Sequence, residues 1–151
     1  MSLPIKKIKF VIEYLFLNFL FSILSLLPIN LVSRIGGYIL KTFGPMSKSH
    51  KTALLNYRKV FKDMSNEKVN YGVSKSWENL GKTLFELSIL EKIVDKRNNM
   101  ITVKGIENIK ESIKKSERII FFGIHQSNWE ILVPTIDQLG INIGAIYRHI
   151  N

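Results

Sequence analysis

The sequence contains no cysteine. This absence excludes disulfide bonds, zinc sites built from thiolates and catalysis by a cysteine nucleophile. It gives no indication of an oxidising compartment and is compatible with a reducing one. Internal repeats and low-complexity tracts are also lacking. The chain has 151 residues, of which 46% are hydrophobic and 23% charged, so it is long and apolar enough for one ordinary domain with a real core.

Acidic residues are scarce. Twelve Asp and Glu stand against 22 Lys and Arg, which gives a formal net charge of +10. Such a balance indicates an anionic partner, and nucleic acid and an anionic membrane surface are the two usual candidates. The sequence has no zinc-finger, helix-turn-helix or RNP-like pattern, so nucleic acid is not expected as a partner. The membrane remains the better candidate.

A long apolar run near the N-terminus favours a membrane anchor. It extends over residues 10–27 and is interrupted only by Glu13 and Asn18. At about 1.5 Å per residue, a helix of this length is just able to cross a hydrocarbon core. Two other interpretations stay open. A signal peptide shares the basic start but would need a small-x-small cleavage site, which does not follow Leu27. A buried core helix is slightly favoured by the charge of Glu13.

Basic residues flank this run on both sides and favour a cytoplasmic location for the flanks. They fit a helix that spans, one that dips in and returns, and one that lies in the interface, so the sequence does not decide the topology. A second apolar stretch covers residues 29–43, and Gly44-Pro45 follows it as a boundary signal. We therefore predict membrane anchor helices over residues 1–45 and a second domain over residues 46–151.

The second domain begins with two amphipathic helix patterns, over residues 47–61 and from Ser65 to about Leu90. Gly81 interrupts the latter, and close packing against a neighbouring helix would account for it.

The pattern then changes. Strand candidates at residues 101–103, 118–123 and 141–147 alternate with helix candidates at residues 106–115 and up to about Gly140. This alternation predicts βαβ units, hence an α/β fold with the start of a mainly parallel sheet.

A polar cluster follows the most apolar of these strand candidates. In open parallel sheets, ligands bind beyond the carboxyl ends of the strands. His125 and Glu130 lie there, at a strand-to-helix turn that could fold the carboxylate back to the imidazole. A carboxylate that accepts from one ring nitrogen leaves the other as a base for a hydroxyl nucleophile. Alternatively, Ser127 and Glu130 form a capping box, and His125 is an ordinary histidine. Asn128 is either an N-cap or a polar positioning group.

The segment HQSNWE, residues 125–130, resembles the H-x-x-x-x-D/E motif of glycerolipid-type acyltransferases. It is most similar to the Glu-bearing form in the lipid A biosynthesis acyltransferases, the lauroyl and myristoyl transferases. That family often has Gly-Asn-Trp-Glu, so Ser127 is a departure at a turn position. The N-terminal anchor, the basic helix followed by a Ser-x-x-Glu-like start at Ser65, the stretch over residues 77–86 and Tyr147-Arg148 resemble the family in the same order.

The resemblance implies a membrane-associated enzyme that transfers a fatty acyl group from acyl carrier protein to a hydroxyl of a lipid A precursor. It implies His125 as the base, Glu130 as its orienting partner, and Arg148 and Asn128 as substrate-binding residues. No metal or cofactor is required. Arginine suits the phosphorylated substrate or developing negative charge, and the basic chain suits an anionic glycolipid and the acidic carrier protein.

The implied location is the inner (cytoplasmic) membrane, with the active site on the cytoplasmic side. The family continues where this sequence stops at Asn151. We therefore expect an incomplete sheet, the N-terminal part of an acyltransferase domain, and little activity from these residues alone. The alternatives are a lysophospholipid or other glycolipid acyltransferase, and a non-catalytic membrane-anchored remnant or interaction module.

Overall fold

The computed structural model describes residues 3–144 and 146. The chain divides between Ile89 and Leu90 into two compact units. The described residues of the first unit form four α-helices: α1 (Leu3–Ser25), α2 (Ile29–Phe43), α3 (Ser49–Val60) and α4 (Asn66–Glu86). The predicted boundary at Gly44-Pro45 lies inside this unit, where α2 ends in a short 3-10 helix, Gly44–Met46. That residues 1–45 form the membrane anchor and residues 46–151 a separate domain stays a prediction.

Helix α1 has the length and composition to cross a membrane over Lys7–Ser25, with a mean hydropathy of 1.7. Its large apolar side chains point outward around the whole helix; Phe10, Phe16 and Phe19 are each more than 60% exposed. A helix that is apolar all round normally has protein or lipid against it. Only 6% of this span is buried, so α1 is not a core helix of the unit.

Helices α2 and α4 form the packed centre of the first unit and run antiparallel. Val32, Val69 and Val73 are fully buried there. A β-carbon on Gly81 would lie 2.8 Å from the β-carbon of Leu40, and one on Gly36 would lie 2.6 Å from that of Phe85. The close packing expected to explain Gly81 is therefore confirmed. Further along, the Ser33 hydroxyl donates to the Glu86 carboxylate at 2.6 Å.

A hydrogen bond between two ring side chains joins helix α3 to this pair. The indole nitrogen of Trp77 on α4 donates to Nδ1 of His50 at 3.1 Å. The Ser65 hydroxyl caps α4 by accepting from the backbone N–H of Lys68. Both amphipathic helices predicted for this region are confirmed, and Ser65 is the N-cap expected from its residue type.

In the second unit, the part of the chain that the structure describes forms three shorter α-helices: α5 (Leu90–Val94), α6 (Ile106–Lys114) and α7 (Leu132–Asp137). Its buried apolar side chains are Ile93, Val94 and Ile136. Helix α5 contacts α7. The helix predicted over residues 106–115 is confirmed as α6.

The predicted α/β fold is wrong for the described residues, which contain helices, turns and irregular segments but no strand. Residues 101–103, 118–123 and 141–144 are irregular, and the remainder of the third strand candidate includes residues outside the described part of the chain. β-branched and aromatic residues fit a pleated surface, but a strand exists only when its backbone groups pair with a neighbour. None of these segments pairs with another among the described residues, so their composition alone was misleading.

Candidate active site

The candidate catalytic residues of the second unit lie around a turn and a 3-10 helix, Trp129–Ile131, that leads directly into α7. Asn128 is the N-cap of the 3-10 helix, and its side-chain oxygen accepts from the backbone N–H of Glu130 at 3.2 Å. Of the two roles considered for Asn128, the N-cap is therefore observed. Ser127 has a φ of 54°, in the left-handed region.

The His125 ring lies against Trp129. Their ring centroids are 4.9 Å apart and the planes are inclined by 49°. His125 is exposed, whereas Trp129 is half-buried. The tilted contact restricts the imidazole on one side while its accessible surface leaves room for a substrate.

Glu130 is exposed and belongs to the same turn. Within the part of the chain that the structure describes, no hydrogen bond or ion pair joins its carboxylate to His125. The turn brings the two residues to one cleft without forming the orienting contact. Catalytic hydrogen bonds often shorten only when substrate is bound, so this geometry does not remove either residue as a candidate.

The residues border an open cleft of about 1060 Å³ in the second unit. Its wall is mostly apolar and comes from three parts of the chain: the segment 101–104, the segment 121–125, and α7 with the turn before it. Among the described lining residues, the polar or charged side chains are those of Thr102, Lys104, His125, Asn128, Glu130 and Thr135. A mostly apolar cleft with a few polar groups is typical of a small-molecule site.

The model of the bacterial lipid A biosynthesis acyltransferase family matches residues 4–151. The chain belongs to this family. The match covers nearly the whole sequence, including the HQSNWE segment. No curated protein and no solved structure matches the chain significantly. Membership of the lipid A biosynthesis acyltransferase family is consistent with an acyltransferase type of function.

The predicted site residues are placed only in part. His125, Asn128 and Glu130 border the same cleft. Arg148 lies outside the described residues. Within the described part of the chain there is no cluster of three or more His, Asp or Glu residues that could hold a metal ion.

The apolar wall of the cleft was not predicted from the sequence. Ile101, Val103 and Phe121 were assigned to strands, yet they line the cleft from irregular segments. Their short apolar runs were the available signal, but a run of this kind does not show whether it pairs in a sheet or borders a cleft.

Proposed function

We propose that the chain transfers a fatty acyl group from acyl carrier protein thioester to a hydroxyl of a lipid A precursor, at the inner membrane and on its cytoplasmic side. The observation that carries this proposal is the cleft in which His125, Asn128 and Glu130 meet an apolar wall, in a chain that belongs to the lipid A biosynthesis acyltransferase family. Apolar residues suit a fatty acyl chain, because each buried methylene contributes about 0.8 kcal/mol.

In this mechanism His125 is the general base. Its free ring nitrogen takes the proton of the acceptor hydroxyl as the oxygen attacks the thioester carbonyl. The tetrahedral intermediate collapses with cleavage of the carbon–sulfur bond, and the imidazolium returns the proton to the departing thiolate. Glu130 is proposed to orient the ring and stabilise the imidazolium, which requires a small closure of the turn once substrate is bound.

Asn128 and Arg148 are proposed to bind the substrate. Asn128 lines the cleft, and its side-chain amide is proposed to hydrogen-bond the substrate there. The guanidinium of Arg148 would pair with a phosphate or with developing negative charge. Helix α1, with its exposed apolar surface, is proposed as the membrane anchor.

The test measures acyl transfer from labelled acyl carrier protein thioester to a lipid A precursor by a detergent-solubilised, full-length family member that carries these residues, because residues 1–151 alone are expected to show little activity. If His125 is the base, His125→Ala lowers the rate by roughly 10²–10⁴-fold. Glu130→Gln lowers it less, and Glu117→Gln is the matched control, because Glu117 is an exposed carboxylate that does not line the cleft. Transfer by the His125 variant at the parent rate would refute the mechanism.

A further inference from the structure

A second polar feature lies in the first unit, on the α2–α4 pair. A groove of about 600 Å³ runs between these helices, and four cations line it: Arg34, Lys41, Lys75 and Lys82. One carboxylate, Glu78, stands among them and is 18% exposed. The groove therefore carries a net positive charge.

Glu78 is the centre of the cluster. Its carboxylate lies 2.9 Å from Nζ of Lys75, 3.0 Å from Nζ of Lys82 and 3.4 Å from Nζ of Lys41. Hydrogen bonds from Lys75 and Lys82 hold the pKa of Glu78 at about 2, so it is ionised at neutral pH. One negative charge cannot neutralise three ammonium groups and the nearby guanidinium. The three ammonium groups all contact the one carboxylate, yet the lysine side chains stay 39–48% exposed.

The groove is shaped by a small residue. A β-carbon on Gly37 would lie 3.1 Å from the Lys82 side chain and 3.3 Å from that of Glu78. The absence of a side chain at Gly37 thus allows Lys82 and Glu78 of α4 to lie across α2. The cations are gathered by helix packing and are not scattered surface charges.

Each helix also places a tyrosine beside its cations. Tyr38 of α2 is 71% exposed and Tyr71 of α4 is 66% exposed. Lys75 lies over the Tyr71 ring at 5.8 Å. Along α2, Leu31, Arg34, Tyr38 and Lys41 follow one another at helical spacing, so apolar and basic groups alternate along one face. Tyrosine and basic residues together are typical of the membrane–water interface.

The groove also begins close to the membrane-helix candidate. Only residues 26–28 separate α1 from α2, and Leu31 lies at the start of the groove. A positively charged surface that follows a membrane-helix candidate so closely in the chain suits the headgroups of anionic phospholipids. We propose that the α2–α4 groove binds the phosphate of an anionic membrane phospholipid and so fixes the first unit against the membrane surface. This inference does not depend on the catalytic roles of His125 and Glu130.

The test titrates the full chain in neutral detergent with short-chain phosphatidylglycerol, using calorimetry. Short-chain phosphatidylcholine and inorganic phosphate are the comparison ligands. We expect phosphatidylglycerol to bind more tightly than either, with an affinity that falls as salt is added. The double variant Lys41→Gln, Lys82→Gln should weaken binding roughly tenfold or more, because each cation near an anionic surface contributes substantially.

Two further variants sharpen the result. Glu78→Gln removes the one carboxylate of the groove and should strengthen phosphatidylglycerol binding several-fold, a change opposite in sign to that of the lysine pair. Lys114→Gln, Lys115→Gln at the C-terminal end of α6 removes the same total charge at residues that do not line the groove and should leave binding unchanged. Circular dichroism shows whether each variant keeps its helices.

Several outcomes would overturn the proposal. One is that the groove double variant and the control double variant weaken phosphatidylglycerol binding equally. Another is that inorganic phosphate binds as tightly as phosphatidylglycerol. A third is that the chain binds a lipid A precursor but no phosphatidylglycerol. Loss of acyl carrier protein binding in the groove variant, with phosphatidylglycerol binding intact, would identify the groove as a protein-docking surface. Loss of acyl transfer in His125→Ala leaves this test unaffected, so the two proposals fail separately.

Discussion

Gly36 and Gly81 bring the backbones of α2 and α4 into direct contact. A β-carbon at either position would overlap the carbonyl oxygen of the other glycine. The two helices that carry the basic groove therefore depend on this crossing for their spacing. A glycine inside a helix costs about 1 kcal/mol relative to alanine, and here the contact with the second helix offsets that cost.

We expect Gly81→Ala to destabilise the chain in spite of its better helix propensity. The new methyl group would push α4 away from α2, and overpacking of this kind costs about 1–3 kcal/mol. Thermal unfolding in detergent, followed by far-UV circular dichroism, measures the effect. Gly72→Ala is the matched control in the same helix, because the atoms nearest its β-carbon would belong to the far end of the Tyr57 side chain, which can rotate away, and not to the backbone of another helix. Equal unfolding temperatures for the two variants would contradict the prediction.

Helical periodicity was a good guide to the first unit. The stretch over residues 29–43 forms α2 with those bounds, and Ser65 caps α4. Local rules suffice there, since an amphipathic helix satisfies its own backbone hydrogen bonds. The strand candidates failed because strand pairing depends on distant segments, and the composition of residues 118–123 carries no information about a partner.

The hydrogen bond between Trp77 and His50 ties α3 to α4. We expect a coupling of about 1 kcal/mol between these side chains, the usual net value of a partly buried hydrogen bond. A double-mutant cycle with Trp77→Phe, His50→Ala and the combined variant isolates this term from the packing of the indole ring. Unfolding free energies measured in denaturant provide the values. Additive effects of the single substitutions would show that the hydrogen bond contributes nothing.

Glu78 should make the first unit sensitive to acid. Its pKa is lowered from 4.5 to about 2 in the folded chain, chiefly by the hydrogen bonds from Lys75 and Lys82. The ion cluster therefore adds stability above the unfolded pKa, and this stability is lost as the pH falls from 4.5 towards 2. Because the lysines are partly exposed, we expect a contribution of about 1 kcal/mol.

Unfolding curves recorded across that pH range test the effect. Glu78→Gln should remove part of the acid sensitivity, whereas Asp63→Asn, in the loop before α4, should change it little. An unchanged pH profile for the Glu78 variant would mean that the lysine cluster does not stabilise the fold.

The candidate site was predictable as a set of residue types, but its geometry was not. The HQSNWE segment identified His125, Asn128 and Glu130, which the structure brings to one cleft. The hydrogen bond expected between His125 and Glu130 was not found among the described residues, where the His125 ring packs on Trp129 instead. The lysines around Glu78 were also missed. Their spacing along α4, three before and four after the glutamate, was a signal for ion pairs on one helix face.

The last prediction concerns Ser127, which adopts a left-handed backbone with a φ of 54°. A residue with a β-carbon pays about 1–2 kcal/mol there, whereas glycine is relaxed. We expect Ser127→Gly to leave stability unchanged or slightly raised, because the relief of strain is partly cancelled by the greater freedom of glycine in the unfolded chain. Ser127→Val should lower stability by about 1–2 kcal/mol, since a β-branched side chain is the least tolerated at positive φ.

Ser116 has a φ of 57° and does not line the cleft, so Ser116→Gly and Ser116→Val are matched controls. Both pairs should change the unfolding temperature alike, but only the Ser127 variants should shift the ring-proton resonances of His125. Identical His125 spectra in Ser127→Val and the parent chain would show that the turn does not position the proposed base.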